Sequence, residues 1–221
     1  LQALDGITGI ERFRISSIEP NLLTDEVIAF CAASEKFQPH FHIPLQSGSD
    51  RVLGMMKRRY NRQMFADRIS AVRRLIPDAF FGIDVIVGFP GETDRDFADT
   101  YELLERCKPA FLHVFPYSER DNTPAADFPD KVRSSVKTER AATLGELSVR
   151  LHDEFCRNHV GKVARVLFEN SEKGGFMTGF TENYIKVKAP YDRKLINKIV
   201  SVKLLASDED GVLGAIILGE P

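Results

Sequence analysis

The sequence predicts two folds in succession, a parallel α/β unit followed by a small all-β barrel. As far as about Lys131, short apolar runs alternate with longer segments of helical periodicity, which is typical of βα units around a parallel sheet. After Gly161 the pattern changes to short alternating strands with glycine and asparagine turns, which indicates a closed barrel of the OB-like kind. We therefore expect an α/β domain over residues 1–130, a connecting helix over 131–158 and a barrel domain over 159–221.

Four strands are predicted in the α/β domain, and local signals mark the helices between them. The strands are expected at Arg12–Ser16, His40–Leu45, Phe81–Val87 and Ala110–Phe115. Helices are expected at Thr24–Glu35 and Ser49–Arg59, from Asn61 to a stop at Pro77, and from Thr93 onward. Thr24 and Asn61 are N-cap residue types, and Thr93 with Asp96 forms a capping box. The third strand is apolar on both faces except at Asp84, as expected for a buried strand.

A polar loop and a long helix lead into the predicted barrel. The loop Ser118–Asp130 is long for a compact domain, so we expect it to be functional or a linker. The helix is expected from about Lys131 to Asn158. The five barrel strands are expected at Lys162–Phe168, Gly175–Thr181, Ile185–Ala189, Lys198–Ala206 and Gly211–Leu218.

The composition is that of an ordinary globular protein. Of the 221 residues, 43% are apolar and 28% are charged, and no apolar run approaches the roughly 20 residues of a membrane-spanning helix. The three cysteines have no close spacing, so the sequence predicts neither a disulfide framework nor a thiolate metal site, and a reducing cytoplasm is expected. Since the chain opens at Leu1 without a methionine or a signal peptide, we expect it to be a piece of a longer protein.

Polar side chains and glycines follow each of the four predicted strands. The segments are Ser16–Pro20, Gln46–Asp50, Gly88–Thr93 and Pro116–Ser118. Because parallel sheets bind ligands at the carboxyl ends of their strands, the segments predict a polar pocket for a ribose, an amino acid or a phosphate. The alternative is ordinary turn and capping chemistry. The phosphate-loop and dinucleotide-binding glycine motifs are both absent from the sequence, which disfavours those two classes of enzyme.

Two histidines on the second predicted strand form a possible metal site with residues of later strands. His40 and His42 face the same side, and with Asp84 and His113 they resemble the ligands of a barrel hydrolase. Catalytic ligands belong at the carboxyl end of a strand, whereas these histidines lie near its predicted start. We therefore expect packed histidines and assign no metal ligands.

Basic and aromatic residues are concentrated in the predicted barrel. The net charge of the chain is −2, yet residues 162–203 hold nine basic against four acidic side chains. Alternating basic and aromatic residues supply phosphate contacts and stacking platforms, the combination that RNA-binding barrels use, although some of these aromatic residues must fill the core. The set is Phe176, Phe180, Tyr184, Lys186, Lys188, Tyr191, Arg193 and Lys194.

Taken together, these loops resemble the radical S-adenosylmethionine (SAM) tRNA methylthiotransferases. The matching motifs are His40–Leu53, Met56–Tyr60, Asp84–Thr93, Phe115–Ser118 and Thr123–Ala125. The segment Gly179–Val187 resembles the TRAM domain that closes those proteins and binds RNA. The segment Ser16–Pro20 is most similar to the branch that modifies N6-threonylcarbamoyladenosine beside the anticodon, with the isopentenyladenosine and ribosomal-protein branches as alternatives. At Asn122 relatives commonly have glycine, and we expect the turn to be kept because asparagine tolerates left-handed backbone.

The resemblance implies a C-terminal fragment that holds a partial radical SAM (β/α) barrel and an RNA-binding TRAM barrel. In the parent enzyme, SAM and two [4Fe-4S] clusters would insert a methylthio group at C2 of the adenosine. This chain lacks both cysteine sets, so we expect it to hold no cluster, no catalytic residue and no activity alone. The implied SAM contacts are Ser17, Glu19, Gln46, Ser47, Arg58, Asp84, Gly88, Phe115 and Tyr117. The implied RNA contacts are Tyr184, Lys186, Lys188, Arg193 and Lys194.

The expected partners are tRNA, bound through the TRAM domain, and the missing N-terminal methylthiotransferase domain with the first barrel strands; no membrane partner is expected. Loss of the first strands would leave an exposed parallel edge beside Arg12–Ser16, which predicts self-association.

Two other classes of function stay open at this point. One is a stand-alone RNA-binding module, and the other is a metal-dependent hydrolase that uses His40, His42 and Asp84.

Overall fold

A parallel sheet and a closed barrel form the two units of the chain in the computed structural model, Leu1–Leu151 and His152–Pro221. The structure describes residues 1–121, 123–208 and 211–218, so the expected turn at Asn122 lies outside the described residues. In the first unit the elements are α1 (Gln2–Asp5), β1 (Phe13–Ile15), α2 (Asp25–Ala33), β2 (Phe37–Gln46), α3 (Asp50–Met55), α4 (Arg62–Leu75), β3 (Phe80–Val87), α5 (Asp94–Cys107), β4 (Phe111–Pro116), a 3-10 turn (Pro124–Asp127) and most of α6 (Ser134–Arg157). The second unit holds β5 (Val163–Phe168), β6 (Phe176–Phe180), β7 (Lys186–Pro190), a 3-10 turn (Arg193–Leu195), β8 (Ile199–Ser207) and β9 (Leu213–Ile217).

The first unit is an open four-stranded parallel sheet in the order β1-β2-β3-β4. One face of the sheet is apolar because alternate residues of each strand, such as Phe41 of β2 and Phe81 of β3, pack with the helices. Leu103 of α5 and Leu147 of α6 belong to the same core. β1 and β4 lie at the two edges of the sheet, and the parallel strands with their helices form the α/β unit that the sequence predicts.

Local side-chain signals determine where the helices of this unit begin. Thr24, Asn61 and Thr93 each accept a backbone hydrogen bond at a helix N-terminus, and Thr93 with Asp96 forms the predicted capping box. The side chain of Ser49 caps α3 in the same way. These caps satisfy N–H groups that have no partner inside the helix, so they hold the loops after the strands in defined positions.

The second unit is a closed barrel with the strand order β5-β6-β7-β9-β8. Its core is formed by inward residues such as Val166, Met177 and Val187, all of which are fully buried. Gly179 lies where β5 and β6 approach closely, because a Cβ atom there would come within 2.5 Å of the Leu167 carbonyl oxygen. Among the described residues, no helix is both long and apolar enough to cross a membrane.

Candidate functional site

A cavity of about 500 Å³ lies at the carboxyl ends of β2, β3 and β4. Its walls are formed by Gln46, Asp84, Ile86, Phe115, Pro116, Tyr117, Ser118, Arg120, Thr123 and Ala125. Four of the predicted SAM contacts are among them, namely Gln46, Asp84, Phe115 and Tyr117. The combination of apolar walls with a few polar groups is typical of a small-molecule site.

Gln46 enters the cavity through an irregularity at the end of β2. The pairing of β2 with β3 shifts between Pro44 and Gln46, and the φ angle of Gln46 is 66°, in the left-handed region. A non-glycine residue in that region costs of order 1–3 kcal/mol, and such bulges often re-aim a side chain beside a functional site. The local backbone therefore favours glycine, yet it holds an amide side chain at the cavity.

Asp84 connects the cavity to two histidines on the neighbouring strands. Its Oδ1 lies 2.6 Å from Nε2 of His42 on β2, and Asp84 is paired in register with His113 on β4. One nitrogen from each imidazole and a carboxylate oxygen lie within 4.8 Å of one another. Burial, together with the charge of His42, lowers the pKa of His113. The sequence indicated this set of residues as a possible metal site, and the structure places three of its members, His42, Asp84 and His113, side by side.

His40 occupies a different environment on the same face of the sheet. Its ring stacks on Phe80, with 5.3 Å between centroids and 23° between planes. Burial is the main reason that the pKa of His40 falls to about 4, and the charge of Arg14 adds to the effect. His40 is therefore a packed neutral histidine, as the sequence analysis expected.

The far wall of the cavity is aromatic. Phe115 is 51% exposed, and the ring of Tyr117 packs edge-on against Phe89 at 5.2 Å. The side chain of Lys137 secures this wall, since its Nζ donates to the Tyr117 carbonyl oxygen at 3.0 Å and lies 5.2 Å from the ring centroid. The Tyr117 hydroxyl is buried and has no hydrogen-bond partner within the described part of the chain. A buried hydroxyl without a partner is unusual in a folded protein.

The structure brings the other five predicted SAM contacts to positions outside the cavity lining. Ser47 is fully buried, where its Oγ accepts from the Ser49 amide at 3.2 Å. Glu19 and Arg58 form an ion pair at 3.1 Å. The remaining two are Ser17, which is exposed, and Gly88, whose N–H donates to Glu92 Oε1 at 2.9 Å and whose Cβ position is filled by Lys137.

Three polar cavity residues are not among the SAM contacts that the resemblance implied. Ser118, Arg120 and Thr123 all come from the loop that follows β4. The length and polarity of that loop already indicated a functional role, and Thr123 lies within one of the family-like motifs. Arg120 could be predicted as a cavity residue only from the path of the loop through space, and the spacing of residues in the sequence does not give that path.

The outer face of the β6–β7 hairpin in the second unit carries aromatic and basic side chains. Lys186 is paired with Phe180 across the two strands. The ring of Tyr184 stacks on Phe180, with 4.6 Å between centroids and 15° between planes. Phe176 is 44% exposed and Tyr184 is 39% exposed, so both rings are accessible for stacking.

The predicted basic contacts differ in their availability. Lys188 forms an ion pair with Asp208, and its ammonium lies 5.3 Å from the centroid of the Phe176 ring. Arg193 and Lys194 are exposed on the 3-10 turn that follows β7. The hairpin and this turn thus carry exposed cations and two exposed aromatic rings on the second unit.

The chain is similar in sequence to known proteins. Residues 2–104 match the family model of the Radical SAM superfamily. Threonylcarbamoyladenosine tRNA methylthiotransferase MtaB of Bacillus subtilis (strain 168) is 42% identical over 203 residues, which are 90% of this chain and 45% of that protein. The tRNA-2-methylthio-N(6)-dimethylallyladenosine synthase of Acetivibrio thermocellus is 36% identical over 219 residues, 98% of this chain and 46% of that protein. The chain thus spans about half the length of these curated relatives.

One solved structure supports the fold. Coproporphyrinogen III oxidase from Escherichia coli, described as a radical SAM enzyme, aligns with 77% of this chain and 46% of its own chain at a TM-score of 0.54 and 14% identity. At that identity the likeness concerns the fold alone. The predicted parallel α/β fold and the resemblance to the radical SAM methylthiotransferases are both confirmed.

Proposed function

Because this chain belongs to the radical SAM superfamily, we propose that it is the rear part of a tRNA methylthiotransferase. The observation that carries this proposal is the 42% identity to a methylthiotransferase over 90% of the chain. The parent enzyme would place a methylthio group at C2 of N6-threonylcarbamoyladenosine beside the anticodon. The chain would work in the cytoplasm, where tRNA is found, together with the front half of the enzyme.

The cavity in the first unit fits SAM. The Gln46 amide and the Asp84 carboxylate offer an acceptor and donor set for the ribose or the adenine, and the aromatic wall of Phe115 and Tyr117 offers stacking. SAM, when bound in the complete enzyme, supplies the radical and the methyl group.

An iron–sulfur cluster does not fit the cysteines of this chain. Cys31, Cys107 and Cys156 are each buried on different helices of the described structure. Cluster ligation needs thiolates, whereas burial raises the pKa of Cys31 and of Cys156 to about 11. The cluster ligands of the proposed enzyme would therefore have to come from another part of the parent protein.

The second unit is proposed to hold tRNA as a TRAM domain. The exposed rings of Phe176 and Tyr184 would stack on bases, while Lys186, Arg193 and Lys194 would contact phosphates. Counterion release makes such phosphate contacts strongly dependent on salt. We propose that β1, an edge strand of the described sheet, pairs with strands of the front half of the enzyme or with a second copy of the chain.

The reaction is tested in cells by deleting the gene and measuring digested tRNA nucleosides by mass spectrometry. We expect 2-methylthio-N6-threonylcarbamoyladenosine to disappear while 2-methylthio-isopentenyladenosine is retained. Loss of the isopentenyl product would assign the protein to the other tRNA branch. If both nucleosides are unchanged, the proposed reaction is wrong.

SAM binding is tested with the purified chain by calorimetry. Gln46→Gly removes the amide and relieves the left-handed backbone, so it should weaken SAM binding at least about tenfold without loss of stability. Gln63→Ala changes an exposed glutamine on α4 and serves as the matched control. Equal SAM binding by the two variants would show that Gln46 does not contribute to the SAM site.

RNA binding is tested by titrating tRNA at several salt concentrations. Tyr184→Ala should weaken binding about 5–100-fold, because base stacking contributes about 1–3 kcal/mol per ring. Lys186→Gln should flatten the dependence on salt. Tyr101→Ala, a change on α5 in the first unit, is the control. Binding that survives both barrel changes would contradict the role given to the second unit.

A further inference from the structure

We propose that His42, Asp84 and His113 form a binding site for a divalent transition-metal ion. The three side chains come from three adjacent strands, β2, β3 and β4. Each offers one ligand atom, and the three atoms lie within 4.8 Å of one another. The ligand set contains no thiolate.

The distances are close to those of a metal centre. In a tetrahedral zinc site with ligand bonds of about 2.0–2.1 Å, the donor atoms lie about 3.3 Å apart. The His42 and Asp84 donors are joined by a hydrogen bond at 2.6 Å, so an ion would replace that hydrogen bond and the two atoms would separate by about 0.7 Å, while the remaining separations need to close by at most about 1.5 Å. His42 is partly exposed and His113 is exposed, so neither ring is fixed by complete burial.

The backbone between the two histidines leaves room for the ion. Gly82 of β3 is paired in register with His42, and a Cβ atom added at Gly82 would lie 3.6 Å from Nε2 of His113. With glycine at this position, the two imidazole rings approach to 5.1 Å between centroids. A single Cβ atom at that distance would be an ordinary contact with His113, whereas a larger branched side chain at Gly82 would extend further toward the His113 ring.

The donor set identifies the class of metal. Two imidazoles and one carboxylate suit Zn²⁺, Co²⁺, Ni²⁺, Cu²⁺ or Fe²⁺, whereas Mg²⁺ and Ca²⁺ prefer oxygen ligands alone. Three protein ligands leave at least one coordination position open. Since Asp84 also lines the cavity, that open position lies beside a space that can hold a water molecule or a small ligand.

The site is tested on the purified chain after chelation and dialysis, with no SAM or tRNA present. Zn²⁺ is titrated by calorimetry, and Co²⁺ is followed by its visible absorption. We expect one equivalent to bind, and we expect His113→Ala and Asp84→Asn to weaken binding more than about 100-fold, since even the loss of an outer-shell partner costs about 10–100-fold. His113 is exposed, so its alanine variant should fold normally, which circular dichroism checks.

His40→Phe is the matched control, because it removes a histidine two residues from His42 and keeps a ring against Phe80. This variant should bind Co²⁺ as tightly as the unmodified chain. Thiolate charge-transfer bands would instead place the ion at Cys156, which lies 3.6 Å from His152, and would overturn the proposal. Absence of stoichiometric binding, or equal binding by His113→Ala, would also overturn it. None of these three results tests the methylthiotransferase proposal, because the assay contains neither SAM nor tRNA.

Discussion

Acidification should destabilise the first unit through His40. The pKa of this imidazole is lowered to about 4, chiefly by burial and then by the charges of Arg14, His42 and His113. In the unfolded chain a histidine has a pKa of about 6.5. A lowered pKa means that the unfolded state binds the proton more tightly. The contribution of His40 to stability is therefore complete above about pH 6.5 and is lost as the pH falls toward 4.

The size of this effect follows from the two pKa values. Between pH 7 and pH 5 the linkage relation gives a loss of about 2 kcal/mol in the free energy of unfolding. The assay is urea unfolding at pH 7, 6 and 5, monitored by circular dichroism. His40→Phe keeps an aromatic ring on Phe80 and removes the titrating group, so its stability should vary less with pH by that amount.

A second variant separates titration from packing. Phe80→Leu weakens the ring stack and keeps the imidazole, so it should lower stability at pH 7 while retaining most of the dependence on pH. The reasoning is refuted if His40→Phe and the unmodified chain lose the same free energy of unfolding between pH 7 and pH 5. That result would mean that His40 is protonated as easily in the folded chain as in the unfolded one.

Three substitutions test the packing that supports the two sites, each by urea unfolding. Gly48→Ala should cost about 1–3 kcal/mol, because the added Cβ would lie 2.5 Å from the Thr100 Cα; an unchanged midpoint would contradict this. Arg140→Met should cost about 3–5 kcal/mol, because it strands the buried carboxylate of Glu92, and adding Glu92→Gln should recover most of the loss. Asn183→Ala should cost about 1–3 kcal/mol in the second unit, where the buried amide side chain is hydrogen-bonded on both sides; a smaller effect than at an exposed asparagine would count against it.

The fold was predictable where its signals are local. The strands β1 to β9 fall within a few residues of their predicted bounds, because apolar alternation and capping residues are features of the local sequence. The start of β2 was misplaced by three residues, since Gln38 and Pro39 are poor strand residues. Pairing of Phe37 with Phe13 on β1 extends the strand across them, so a tertiary contact overrides the local preference. The short helix α1 has no periodic apolar face and was not predicted.

The candidate site was less predictable than the fold, because the position of a residue in the sequence does not by itself give the direction of its side chain. The sequence predicted both Gln46 and Ser47 as ligand contacts after β2. The irregularity at Gln46 turns the chain so that the amide lines the cavity, while Ser47 is buried against Thr100 of α5, 3.5 Å from its hydroxyl. A one-residue shift reverses the side to which each following residue points. Two neighbouring residues at the end of a strand are therefore not expected to contact the same ligand.

Strand register brings the three side chains of the histidine cluster together. The sequence gives the position of each residue along its own strand, whereas a ligand set depends on which residues of three neighbouring strands lie side by side. On β3, Asp84 pairs with His113 of β4, and Gly82, two residues before Asp84, pairs with His42 of β2. The three donors therefore converge from separate positions in the sequence. Gly82→Val should separate the two imidazoles by filling the space between them, and it should weaken Co²⁺ binding while the three ligand residues remain. Unchanged binding by a folded Gly82→Val variant would show that the space beside this glycine has no part in the site.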